Sequence, residues 1–105
     1  MHVKTVTICG SMRFAEQMKR VAFELEGYKG WNVLQCVYDA PSVELTQEML
    51  NRLKAAHLAK IDLSDAIYVV DVGGYVGEAA SEEIEYAKRQ GKDVIYHSKS
   101  IEEGY

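Results

Sequence analysis

The chain has 105 residues, 48% hydrophobic and 27% charged, which is the balance of one ordinary globular domain. Its formal net charge of −4 argues against a non-specific binder of nucleic-acid polymers or membrane surfaces, though not against a local basic pocket for one phosphate. No apolar stretch approaches the ~18 residues of a membrane span, and residues 1–12 lack the apolar centre of a signal peptide, so the cytoplasm is the expected compartment.

Residues 3–10, VKTVTICG, alternate and then turn apolar with many β-branched side chains, which predicts a strand stopping at Gly10. Residues 11–30 follow with Phe14, Met18, Val21, Ala22 and Leu25 on one stripe, the pattern of a helix ended by Gly30 or frayed from Gly27. Residues 31–38, WNVLQCVY, read as a second strand, and Pro41 marks a loop. Residues 42–65 read as a helix with Ser42 as N-cap and a stripe through Leu50, Leu53, His57 and Ile61. The apolar run 66–72 suits a strand buried on both faces. A helix over about 78–90, with Glu78 at its cap, and a strand over 93–98 complete a domain of residues 1–98. Residues 99–105 form a short tail.

The β-α-β-α-β-α-β order predicts an α/β fold of the flavodoxin-like or Rossmann-like three-layer type, with a four-stranded parallel sheet ordered 2-1-3-4. Ligands of such sheets sit beyond the strands' carboxyl ends where the winding reverses, here between strands one and three. Two segments meet there: Cys9–Arg13 and Asp71–Glu78. Gly10, Ser11, Met12 and Arg13 open a helix after a strand. Its first N–H groups, the Ser11 hydroxyl and the Arg13 guanidinium suit a monophosphate-sized anion. The plainer alternative is a turn at Gly10, a cap at Ser11 and a solvated Arg13. The glycines of a dinucleotide fingerprint and the lysine of a P-loop are missing.

In the second segment, Gly73, Gly74 and Gly77 let backbone N–H groups face a ligand. Asp71 either binds a sugar hydroxyl or caps the loop. Tyr38 and Tyr75 are candidates to stack on a base or else pack at the rim, while Tyr68 and Tyr96 belong to the core or a dimer contact. Trp31 packs at the sheet edge or an interface. On the last helix Val76, Ala80, Glu83, Ile84 and Ala87 share a face. Glu82, Glu85 and Arg89 lie mostly on the other, with Glu85 and Arg89 spaced for an i, i+4 pair. Glu83 is therefore an ionisable group among small apolar neighbours, set either inward as a catalytic carboxylate or at the stripe's edge. Cys9 and Cys36, inside apolar runs, read as buried reduced thiols; without CxxC or paired-His spacing they do not suggest a zinc site, and no metal is expected.

The segments ICGSMR (8–13), LAKIDLSDAIYVVDV (58–72) and EIEYAKRQGKDV (83–94) resemble the nucleoside 2-deoxyribosyltransferase superfamily, which includes the 2′-deoxynucleoside 5′-monophosphate N-glycosidases. The resemblance spans roughly residues 5 to 97. It implies a nucleophilic glutamate at Glu83, in Glu83-Ile84-Glu85-Tyr86-Ala87 followed by Gly91-Lys92. It also implies a phosphate loop at Cys9–Arg13, with no cofactor. Where the family carries an Asp before strand three, spacing from Asp65 places His57, which either serves as acid or base or is a core histidine satisfied by a backbone carbonyl. The family's strand-one tyrosine is Thr7 here. The expected activity is cleavage or transfer of the N-glycosidic bond of a (deoxy)nucleoside or its 5′-monophosphate, by a homodimer. A non-catalytic nucleotide or nucleotide-sugar sensor is the alternative, and a small assembly protein is a third.

Overall fold

The computed structural model describes residues 3–38 and 42–103. Pro41, with its two preceding residues, lies outside them. Four strands pair in parallel in the order β2-β1-β3-β4: β1 (Thr5–Cys9), β2 (Asn32–Leu34), β3 (Ala66–Val69) and β4 (Asp93–Tyr96). The predicted class and strand order are those observed. Parallel neighbours need a crossover, and helices supply it: α1 (Ala15–Lys29), α2 (Gln47–Asp62) and α3 (Glu78–Arg89). A further helix, α4 (His97–Glu102), follows β4 directly.

Alternation along the strands divides the core in two. Val6 and Ile8 of β1, with Ala66, Tyr68 and Val70, pack against Met18, Val21, Ala22 and Leu25 of α1. Cys9, Ile67 and Val69 face the opposite way, against Ile61 of α2 and Ile84 and Ala87 of α3. Every residue of β3 is buried, as its unbroken apolar run requires. Polar ties close the α2 side. The Thr7 hydroxyl lies 2.7 Å from Ser64 Oγ, which itself donates to the Lys60 carbonyl at 2.9 Å, so Thr7 is the donor of the first bond.

Several boundaries differ from the sequence reading; β3 ends at Val69 rather than at residue 72, which opens a 3₁₀ turn, and α1 starts at Ala15 behind another. β2 ends at Leu34, where the register with Thr7 ends; beyond it the Gln35 carbonyl accepts from Lys60 Nζ at 2.7 Å instead of continuing a ladder. α2 starts later than residue 42, because the cap is Thr46: its hydroxyl accepts from the Met49 N–H at 3.1 Å. Leu50 and Leu53 are therefore not core residues; they are 44% and 38% exposed, and only His57 and Ile61 of that stripe are buried. Glu78 does not cap α3 but is its first residue, behind Gly77. The last strand stops at Tyr96, and residues 97–102 of the expected strand end and tail are helical.

Trp31 packs partly buried on the α1-side core with the Lys4 and Lys29 ammoniums over its ring at 4.9 and 5.5 Å. Tyr68 is a core residue, 1% exposed, and its hydroxyl reaches His97 Nδ1 at 2.8 Å. Tyr96 packs partly buried on the α2/α3 side. No helix among the described residues is long and apolar enough to cross a membrane.

His97 is half-buried, and desolvation holds its imidazole below the ordinary value of 6.5, opposed in part by the nearby Asp71 and Glu24 carboxylates. The unfolded chain, with an unshifted histidine, binds the extra proton first as pH falls below about 6.5. The folded state therefore loses stability from that point downward until the folded histidine also titrates. In thermal melts between about pH 7 and pH 5, the wild-type Tm is expected to fall more steeply than that of His97→Gln; parallel slopes would refute the assignment.

Candidate active site

β1 and β3 lie side by side at the centre of the sheet, with α1 on one face and α2 and α3 on the other. A cleft of about 1020 Å³ opens beside their carboxyl ends, lined by Cys9, Gly10 and Met12 from the first segment, His57 from α2, and Ala79 and Glu83 from α3. Its mouth is apolar where Leu50, Leu53 and Val37 reach it. The carboxylate of Glu83 and the turn after β1 thus border the same space.

Helical periodicity separates the two candidate acids of α3. The Glu83 side chain is 22% exposed, whereas that of Glu82, which also borders the cleft, is 56% exposed and pairs with Lys54 at 3.2 Å. Glu83 Oε1 instead lies 3.4 Å from His57 Nε2. The same ring nitrogen is 3.5 Å from Cys9 Sγ, so one imidazole atom serves two neighbours. A neutral ring carries one proton, and Nε2 cannot both accept from the thiol and donate to the carboxylate. His57 Nδ1 is buried and has no hydrogen-bond partner among the described residues. Burial, and then the adjacent Glu83 carboxylate, push the Cys9 thiol well above its ordinary range. A thiol so placed, 1% exposed, is a poor nucleophile.

Cys9 is the site residue that the linear pattern does not single out. The signal was present in strand alternation, which turns Thr7 and Cys9 to the face opposite Val6 and Ile8, and in its position just before the Gly10 turn. Cys36 is free and half-buried rather than fully buried, and it also borders the cleft; burial raises its thiol pKa as well. The three ligand-capable atoms of Cys9, His57 and Glu83 lie within 4.8 Å of one another. A zinc-like group was not anticipated, because spacing rules look for neighbours in sequence and these residues come from three separate elements.

The first segment is tightly built. A Cβ on Gly10 would sit 3.1 Å from the Val70 carbonyl oxygen and 3.2 Å from Met18 Sδ, so glycine permits the close approach of β1 and β3 there. Ser11 caps the 3₁₀ turn of Met12–Phe14, its Oγ accepting from the Arg13 N–H at 3.3 Å. The Arg13 guanidinium lies over the Tyr75 ring at 4.0 Å, and Phe14 meets the same ring edge-on at 5.9 Å. Gly73 and Gly74 turn the chain at φ of 64° and 82°, which bends Tyr75 back toward the first segment. Gly77 has φ of −78° and would meet only ordinary contacts with a Cβ, so nothing there demands glycine.

Of the expected site residues, Gly10, Met12, His57 and Glu83 line the cleft; Ser11, Arg13, Gly73, Gly74, Tyr75 and Gly77 lie outside that lining. Tyr38 also lies outside it. Its hydroxyl donates to Gln35 Oε1 at 2.9 Å, the Lys19 ammonium lies 5.1 Å from its ring, and burial raises its pKa. Asp71 anchors α4: it is 4% exposed, Oδ1 accepts from the Ser98 N–H and Oδ2 from the Ser98 hydroxyl, both at 2.8 Å. No family model matches this chain, and no curated protein matches it either.

Asp71→Ala leaves two half-buried donors of Ser98 without their charged acceptor, at a cost of about 2–3 kcal/mol. Urea denaturation is expected to show that loss, together with faster amide exchange in α4. A variant as stable as wild type would return Asp71 to the list of ligand-binding candidates.

Proposed function

We propose that this protein cleaves or transfers the N-glycosidic bond of a (deoxy)nucleoside or nucleoside 5′-monophosphate, with Glu83 as nucleophile. The reading rests on one observation: the least exposed acid of the α3 face borders the same cleft as the glycine turn that ends β1. Breaking an N-glycosidic bond develops positive charge on the sugar ring, and a carboxylate at the anomeric carbon stabilises or traps it. Transfer to water gives a hydrolase and transfer to another base gives a transferase. His57, whose Nε2 lies 3.4 Å from Glu83 Oε1, positions the carboxylate. The apolar mouth at Leu50 and Leu53 suits a planar base. Ser11 and Arg13 stand beside the turn to meet a phosphate.

A panel of deoxynucleoside monophosphates assayed for free base tests the chemistry. Glu83→Gln is expected to lower base release by at least about 10³-fold, while Glu82→Gln leaves it within about two-fold. If wild type releases no base but nucleotides raise its Tm, the cleft belongs to a sensor; if nucleotides do neither, the assembly reading replaces both.

Arg13→Ala is expected to reduce the preference for monophosphate over nucleoside by about ten-fold, the loss of one charge-assisted contact. Ratios of kcat/KM for the two substrates measure it, and an unchanged ratio removes Arg13 from phosphate recognition.

A further inference from the structure

The Cys9–His57–Glu83 cluster has an arrangement that glycosidic chemistry does not require. A tetrahedral zinc ion with bonds of about 2.3 Å to sulfur and about 2.0–2.2 Å to nitrogen and oxygen sets its ligand atoms about 3.5 Å (S···N) and about 3.4 Å (N···O) apart. The separations here are 3.5 Å from Cys9 Sγ to His57 Nε2 and 3.4 Å from His57 Nε2 to Glu83 Oε1. The third edge lies within 4.8 Å; a tetrahedral site would require Glu83, whose side chain is only partly buried, to turn and bring that edge to about 3.5 Å.

We propose that Cys9, His57 and Glu83 together form a binding site for a borderline-soft divalent cation of the zinc type, with the fourth coordination position facing the cleft. The donor set suits that class: one thiolate, one imidazole and one carboxylate match zinc or cadmium, whereas magnesium and calcium take oxygen alone. Charge closes as well, since a thiolate and a carboxylate neutralise a dication at a site where an unpaired buried charge would be costly. A cation also resolves the competition for Nε2, whose lone pair then has one partner while sulfur and carboxylate bind that same partner. Entry is through the cleft that these residues border.

The outer shell sets the strength. Ligating imidazoles normally donate their second N–H, and the absence of that bond costs about 10–100-fold in affinity. His57 Nδ1 has no partner among the described residues, so affinity is expected on the order of micromolar, below that of a closed four-ligand site. The proposal does not depend on the glycosidase reading, but the two meet at Glu83. A bound cation takes the carboxylate that would attack the sugar, so zinc would inhibit base release.

Chelator-treated full-length protein titrated with Cd²⁺ tests the site directly. One equivalent is expected to produce a thiolate-to-metal charge-transfer band in the ultraviolet, and Zn²⁺ is expected to displace it. Cys9→Ala should abolish the band and weaken Zn²⁺ binding, read by competition with a chromogenic chelator, by about 100-fold or more. Glu83→Gln, at a partly exposed position that leaves the core intact, should weaken it by about 10-fold or more, and Cys36→Ala should leave both readouts unchanged. No band in wild type, or a band lost equally in Cys36→Ala, would overturn the assignment. These readouts require no turnover, so an inactive protein that binds Cd²⁺ refutes only the glycosidase, and an active one that does not refutes only the metal site.

Discussion

Pairing of β1 with β2 on one side and β3 on the other is the constraint from which the molecule follows. A parallel neighbour on each side forces successive crossovers to opposite faces of the sheet, α1 to one and α2 to the other. Where the two directions part, the carboxyl ends of β1 and β3 have no helix directly above them, and the chain must supply a floor from its own turns. Gly10 allows that floor to be narrow, because any larger residue would press on the Val70 carbonyl. Cys9, His57 and Glu83 stand around this point.

Placing Cys9, His57 and Glu83 there has a physical cost. The three groups share one imidazole nitrogen, and a second ring nitrogen is buried without a partner. A core built only for stability would fill the same volume with aliphatic side chains, as it does one turn along α2 at Ile61 and along α3 at Ile84 and Ala87. Incompletely satisfied polar clusters at the end of a strand are the pattern expected where packing has yielded to ligand binding. Asp71 shows the contrast: buried, but with both oxygens engaged, it is a structural anchor.

The fold was legible because its signals are periodic. The stripe of α1, the doubly apolar run of β3 and the helix-sized gaps between strands each report packing that the strand order then reproduces. Boundaries were less legible where one polar contact decides them: the Thr46 cap shortened α2, and the Lys60 bond to the Gln35 carbonyl accompanies the end of β2. Leu50 and Leu53 carried the helical period of core residues, yet they border the cleft, because periodicity names a face without saying what covers it. Glu83 was visible as an acid out of place among alanines. Cys9 was not, since a cysteine in an apolar strand looks like any small core residue until the neighbours from α2 and α3 arrive. Asp71 stayed open between a sugar contact and a loop cap, because its partner Ser98 belongs to a helix that the sequence had suggested was strand and tail.

The stack of Arg13 on Tyr75 has a consequence of its own. A free arginine gives up as much as about 2 kcal/mol of rotamer entropy when a ligand immobilises it, and a guanidinium already laid flat on a phenol has surrendered much of that beforehand. The edge of the plane, where its N–H groups point, stays available while the face is occupied. An anion arriving at that edge would meet a fork held in one orientation, and its affinity would come with a smaller ordering penalty than the same side chain on a bare helix could offer.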